Sequence, residues 1–249
     1  MKLRRRAFSC LFSLLAILAF SISCQKTYSV NPVSSSSGGS LGTPTSTPNY
    51  CQTLTPVPSV PSGIYWGQAF LAISNSSSGT FEIADVYLLV NGNPEATASV
   101  SIIGPGSTSP LAYNGNQTLN GVLYAVYQST SIPYQAGTSW TMKTVTSIGT
   151  AYATMNTPGG GTAASDGSQV SWTYPGELNG VQVVNGTGTT TYTTNPCASV
   201  TSPAAIPASA YPASGTYAVS YYAADITTNI VGGAGIFFME EADSTQITK

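Results

Sequence analysis

The sequence contains no histidine, and after Arg6 it contains no arginine. Charged residues are 6% of 249, against about 25% in an average soluble protein. Without imidazole there is no Ser-His-Asp triad, no Cys-His dyad and no histidine metal ligand. Without a basic stripe there is no footprint for nucleic acid. Sustained apolar repeats of 3.6 residues are also missing, so helix is expected to be a minor component. Hydrophobic content is ordinary at 42%. The missing charge is made up by Ser, Thr, Gly, Ala, Asn and Tyr.

What charge exists is unevenly placed. Lys2, Arg4, Arg5 and Arg6 open the chain, and 7–22 is an apolar and small-residue run. This is the pattern of an export signal, a positive n-region followed by an h-region. The run is short for a membrane span, which needs about 20 apolar residues; a retained signal-anchor is the alternative. From residue 24 onward three lysines face nine acids, a formal balance of −6.

Ser21-Ile22-Ser23-Cys24 ends the apolar run. It resembles the lipobox of bacterial lipoproteins, with Ser21 where that family usually has Leu. The resemblance implies removal of 1–23 as a signal peptide, acylation of Cys24, and a bilayer as first partner. Cleavage by the ordinary signal peptidase is the competing reading. Gln25 in place of Asp points to the outer membrane under the enterobacterial sorting rule. Cys10 leaves with the signal, so an exported chain holds three cysteines, an odd number. Lipidation of Cys24 leaves Cys51 and Cys197 as one candidate disulfide in an oxidising compartment.

Residues 24–60 read as lipidated cysteine plus disordered tether. Ser34-Ser35-Ser36-Ser37-Gly38-Gly39-Ser40 is flexible in composition, and Pro44, Pro48, Pro56, Pro58 and Pro61 stiffen the approach to the folded body. Such a coil spans roughly 30–36 Å on average and about 120 Å when straight.

From 61 onward, short β-rich runs alternate with turn signals. Strands are expected over 65–73, 81–90, 96–103, 122–128, 140–146 and 151–156. After Thr157-Pro158-Gly159-Gly160-Gly161 they resume over 169–174, 181–184, 189–193, 216–223 and 235–240. Asn91-Gly92, Asn114-Gly115 and Asn120-Gly121 are tight-turn dipeptides. The expected fold class is all-β: two tandem sandwiches, 61–157 and 162–249, each near the size of one immunoglobulin-type domain. A single large irregular β domain is the alternative.

Val170-Ser171-Trp172-Thr173-Tyr174-Pro175 resembles the B strand of fibronectin type III domains, with its core tryptophan. The stretch from Ile206-Pro207 through Gly215-Thr216-Tyr217 resembles the turn into strand F of that family. The resemblance makes Tyr217 a corner tyrosine, its hydroxyl bonding back to upstream backbone. It covers about a third of the chain and implies architecture, not activity. Ile132-Pro133-Tyr134 with Gly137-Thr138-Ser139-Trp140 echoes the second stretch, which makes the first block immunoglobulin-like.

Catalysis would have to rest on carboxylates. Glu82 and Asp85, three apart on a strand, point to opposite faces; Asp166, Glu177 and Asp225 could meet only by folding. No enzyme activity and no cofactor is expected. Asp166 and the Glu240-Glu241-Ala242-Asp243 run are the densest oxygen clusters. Neither has EF-hand spacing, and they read as a turn and a solvated acidic end, with no metal site. Among 15 tyrosines and 3 tryptophans, Trp140 and Trp172 read as core. Trp66, Tyr65 and Tyr222 are the candidate exposed platform for a glycan. The function expected is display of β modules from a membrane anchor, for adhesion or for holding another envelope protein. Carbohydrate binding is the alternative, and a polysaccharide-acting enzyme is third.

Overall fold

The computed structural model describes residues 62–76, 79–119, 121–194 and 199–249. The leader, Cys24, the tether and both cysteines of the candidate disulfide, Cys51 and Cys197, lie outside the described residues. Within them the chain is all-β. The strands are β1 (Ile64–Ser76), β2 (Gly79–Val90), β3 (Asn93–Pro94), β4 (Ser99–Gly104), β5 (Ser107–Leu119), β6 (Val122–Ser129), β7 (Ser139–Thr146) and β8 (Gly149–Asn156). They continue as β9 (Gly159–Ala163), β10 (Gln169–Tyr174), β11 (Leu178–Asn185), β12 (Thr190–Thr193), β13 (Ala204–Ala205), β14 (Thr216–Thr227) and β15 (Ala234–Thr248). One 3-10 turn, Ala208–Ala210, is the other regular element. No helix among the described residues is long and apolar enough to cross a membrane.

Among these residues, twelve strands form one sheet: eleven in the path β12-β11-β14-β15-β1-β2-β6-β5-β4-β7-β8, and β3 on β2. A second sheet of three runs β13-β10-β9. The path turns a corner inside β5. Its first half, to Leu111, pairs with β4, and its second half, from Ala112, pairs with β6. The strand carries Pro110 and Asn114-Gly115, which as a sequence argue against a strand at all. Asn114-Gly115 is not a hairpin turn. It sits at a register shift between Tyr113 and Asn116, with Gly115 at φ +91°. Only a residue without Cβ reaches that conformation without strain, and the bulge bends the strand. Asn91-Gly92 does turn the chain, with φ of +49° and +81°, between the paired Val90 and Asn93.

The folded-over path encloses the first core. Trp66, Leu71, Val86 and Leu88 come from β1 and β2, and Ile102, Trp140 and Met142 come from β4 and β7. The indole N–H of Trp66 on β1 donates to Thr144 Oγ1 on β7 at 3.1 Å, spanning the two layers. The second core lies between β9-β10-β13 and the β11, β14 and β15 faces. It holds Val170, Val181, Val183, Tyr217, Val219, Tyr221 and Ile247. Trp172 stacks on Tyr221 at 4.8 Å.

Two cores are present, but they share one sheet. β15, from the second block, runs parallel to β1 from Tyr65↔Ala234 to Asn75↔Asp243. Phe237 and Met239 of β15 are buried in the first core, while Ile247 at its far end is in the second. The glycine run expected to separate the blocks is itself a strand, β9, and Gly159 and Gly161 pair with Tyr174 and Trp172.

Candidate functional site

The aromatic platform expected at the surface is internal, which corrects the assignment of Trp66, Tyr65 and Tyr222 as exposed. Trp66 is 0% exposed, Tyr65 6% and Tyr222 8%. Trp66 is on β1, which is flanked by β15 and β2 and is therefore an interior strand. The Trp66 ring meets Phe237 edge-on at 6.5 Å. Tyr65 packs with Leu89 and Tyr124 in a small third cluster. Tyr221 and Tyr222 do point to opposite faces, yet both are buried. Tyr222 is covered because its cross-strand partner is Gly180. A Cβ on Gly180 would stand 2.0 Å from the Tyr222 ring, so the ring lies on bare backbone. Its hydroxyl is 3.1 Å from Thr194 Oγ1.

The residues assigned to packing sit as follows. Trp140 is 0% exposed, stacks beside Tyr134 at 6.2 Å, and its indole N–H donates to Thr138 Oγ1 at 2.9 Å. Trp172 is half-buried against the second core. Tyr217 is buried; its hydroxyl donates to the Ala213 carbonyl at 2.7 Å and accepts from the Ala213 N–H at 3.2 Å.

The acids divide by face. Glu82 and Asp85 point apart, as alternation requires. Glu82 Oε2 accepts the Ile132 N–H at 3.2 Å on the core side. Asp85 is 5% exposed on the opposite face, and its Oδ1 has no hydrogen-bond partner among the described residues. Burial pushes the Asp85 carboxyl up to about 6. Glu177 and Asp225 do meet: the Glu177 backbone N–H donates to Asp225 Oδ1 at 2.6 Å. Burial raises both, and the Asp225 charge raises Glu177 further. Asp166 is elsewhere, where the Lys249 ammonium donates to its backbone carbonyl.

The acidic run at the end of the chain is not a solvated tail, which corrects a second expectation. Strand alternation sends Glu241 and Asp243 inward at the junction of the two cores, and Glu241 is 2% exposed. Glu241 Oε1 accepts the Gly160 N–H at 3.1 Å, and Asp243 Oδ2 accepts the Gly161 N–H at 2.7 Å. Asp243 Oδ1 accepts from Asn75 Nδ2 at 2.8 Å. Tyr134 Oη stands 2.5 Å from Glu241 Oε2. Burial is the main force that lifts the Glu241 carboxyl, to about 7, and the Asp243 charge adds to it; a Tyr134 hydroxyl that donated to the ionised carboxylate would pull the other way. Burial and the Glu241 charge likewise raise the Tyr134 phenol.

Glycine makes this contact possible. A Cβ on Gly159 would stand 1.6 Å from Glu241 Oε2, and one on Gly161 2.2 Å from the Tyr221 ring. The partners that face the two acids are N–H groups and a phenol, hydrogen-bond donors rather than further oxygen ligands. The arrangement is a staple: two carboxyls of β15 hold the start of β9, and Glu241 also reaches Tyr134 of the loop before β7, which holds Pro158 of the β8–β9 connection. Sequence reasoning had the components, a triple glycine and an acid pair, but no signal that linked residues about 80 positions apart.

No protein-family model matches the chain, and no curated protein matches it. Among solved structures, a chain of the archaellum periplasmic stator protein complex FlaF and FlaG from Sulfolobus acidocaldarius aligns at 16% identity. The alignment covers 39% of this chain and 91% of that one, with a TM-score of 0.25. A likeness that loose carries no argument about fold or function.

Proposed function

We propose that the chain is an exported bacterial lipoprotein of the outer membrane. Acylation of Cys24 would hold it to the bilayer, and a Ser/Pro/Gly tether would carry two immunoglobulin/fibronectin-like β lobes that bind or brace another envelope component. The observation that carries this reading is the order along the chain. A basic and apolar leader ends at a lipobox-like Cys24, a charge-poor tether comes next, and then a body made of strands. Two or more acyl chains anchor stably where a single chain does not. Support for the fibronectin-like character of the second lobe is the Tyr217 hydroxyl bonded back to Ala213 and the Trp172–Tyr221 stack. Tyr65, Trp66 and Tyr222 are buried, so the glycan-binding alternative draws no support from them.

The test is processing and localisation. Wild-type protein should take up labelled palmitate, mature to start at Cys24, and fractionate with the outer membrane. Cys24→Ala should remain an unlabelled precursor. Release of normally processed, unlabelled wild-type protein would refute the anchoring. Mass mapping without reduction checks the Cys51–Cys197 bridge separately, since free thiols at both positions would exclude it.

A further inference from the structure

The staple between the two cores is short of one proton if both acids are ionised. Tyr134 Oη lies 2.7 Å from the Pro158 carbonyl oxygen and 2.5 Å from Glu241 Oε2. A phenol has one proton, and a carbonyl oxygen only accepts. When the phenol donates to Pro158, the proton in the other, shorter bond has to come from Glu241. We infer that Glu241 is kept as a neutral carboxylic acid that donates to Tyr134, and that loss of this proton loosens the staple between the two cores.

The surroundings agree. Glu241 is 2% exposed, and a buried carboxyl without a cation keeps its proton more readily than it ionises. The ionisable groups facing it are Tyr134 from the loop before β7, Asp243 on its own strand, and Tyr221 and Asp225 on β14. Glu82 on β2 lies across Ile73, which pairs with both Glu82 and Glu241. None of these is a cation. The protonated form satisfies every atom in line: Gly160 N–H to Oε1, Oε2–H to Tyr134 Oη, and Tyr134 O–H to the Pro158 carbonyl. Once Glu241 ionises, the single phenolic proton must serve two acceptors. One of them is left buried and unpaired beside Asp243, and the β8–β9 connection loses its hold.

These protons set the direction of the pH effect. The folded-state carboxyl titrates near 7, above its ordinary value. The stability it contributes is fully present below that ordinary value and is lost as pH rises through about 7. Glutamine at this position offers an N–H donor to Tyr134 that no pH removes.

The experiment compares full-length protein in detergent with Glu241→Gln and with Glu240→Gln, a control because burial also raises the neighbouring Glu240 carboxyl. Melting temperature is read from about pH 5 to about pH 9. The gap between wild type and Glu241→Gln should shift in favour of the variant as pH rises through about 7. Infrared difference spectra near pH 6 should show a protonated-carboxyl carbonyl band that Glu241→Gln removes and Glu240→Gln retains. A gap that does not vary with pH, or a carboxylate band assigned to Glu241 at that pH, overturns the inference. Should Glu241→Gln fail to fold, carbon-13 titration of the wild-type glutamate carboxyls decides it. Assignment of Glu241 to a resonance titrating in the ordinary carboxylate range would then reject the idea.

Discussion

Phe237→Ala distinguishes a shared sheet from two independent beads. Phe237 belongs to β15, in the second block of the sequence, but its side chain is 0% exposed in the first core. It meets Trp66 edge-on at 6.5 Å and 77°. Truncating a buried phenylalanine to alanine costs about 3–5 kcal/mol, from lost transfer energy and the cavity left behind. A cooperative unit of this size loses roughly 2–4 °C per kcal/mol, so the melting temperature should drop by roughly 6–20 °C. In urea the midpoint should move by roughly 1–2 M for a slope near the upper end of the usual range. The tryptophans separate the two cores: Trp66 and Trp140 report the first, and Trp172 reports the second. Variants that retain one tryptophan reporter at a time, monitored by fluorescence, should show Phe237→Ala shifting the Trp140 transition by the full amount. A Trp140 transition that stays in place while only the Trp172 transition moves would refute the shared core.

Three further outcomes are expected. Tyr217→Phe removes the hydroxyl bonded to Ala213 and should cost about 1–2 kcal/mol, measured by urea unfolding through Trp172. Gly161→Ala puts a methyl group 2.2 Å from the Tyr221 ring. That ring is held by Trp172 and by its hydroxyl bond to Asn179 Oδ1 at 3.0 Å, so about 1–3 kcal/mol of overpacking should appear in the same assay. Asp85 titrates near 6 in the folded state, above its ordinary value, so its contribution falls as pH rises from about 4 through about 6. The total is about 3 kcal/mol, and Asp85→Asn should flatten that limb of the stability profile.

Local chemistry was readable where a short stretch of sequence carries the whole cause. The runs at 86–90 and 169–174 are strands because β-branched and aromatic residues alternate or cluster between turn residues. Asn91-Gly92 turns the chain because its two positive φ angles suit those residue types. Tyr217 was placed by the resemblance to the turn into strand F, and its bond is local too, reaching four residues back. β5 was missed because Pro110 and Asn114-Gly115 are local turn signals that tertiary pairing on both edges converts into a corner and a bulge. β9 was missed because three glycines say nothing of the carboxyls that will hold them. Trp66 was misplaced because strand order is not written in a strand's own residues. Only the arrival of β15, from far along the chain, turns β1 from an edge into an interior strand.

That arrival also decides how the body bears load under the proposed anchoring. Under that anchoring the tether would enter at the Ile64 end of β1, and β15 runs in the same direction from Ala234 to Thr248. The entry point and Lys249 therefore lie at opposite ends of one parallel strand pair. Tension applied between these two ends would act along the strands, loading the β1–β15 ladder in shear across its whole length rather than peeling it one bond at a time. β1 is held on its other side by β2 from Ile64↔Val90 to Ser76↔Gly79. The same β15 carries Glu241 and Asp243, which fix the connection between the cores at the middle of that loaded strand. A chain poor in charge places two of its nine acids at this buried point. The gain is positional: two small cores are held as one body.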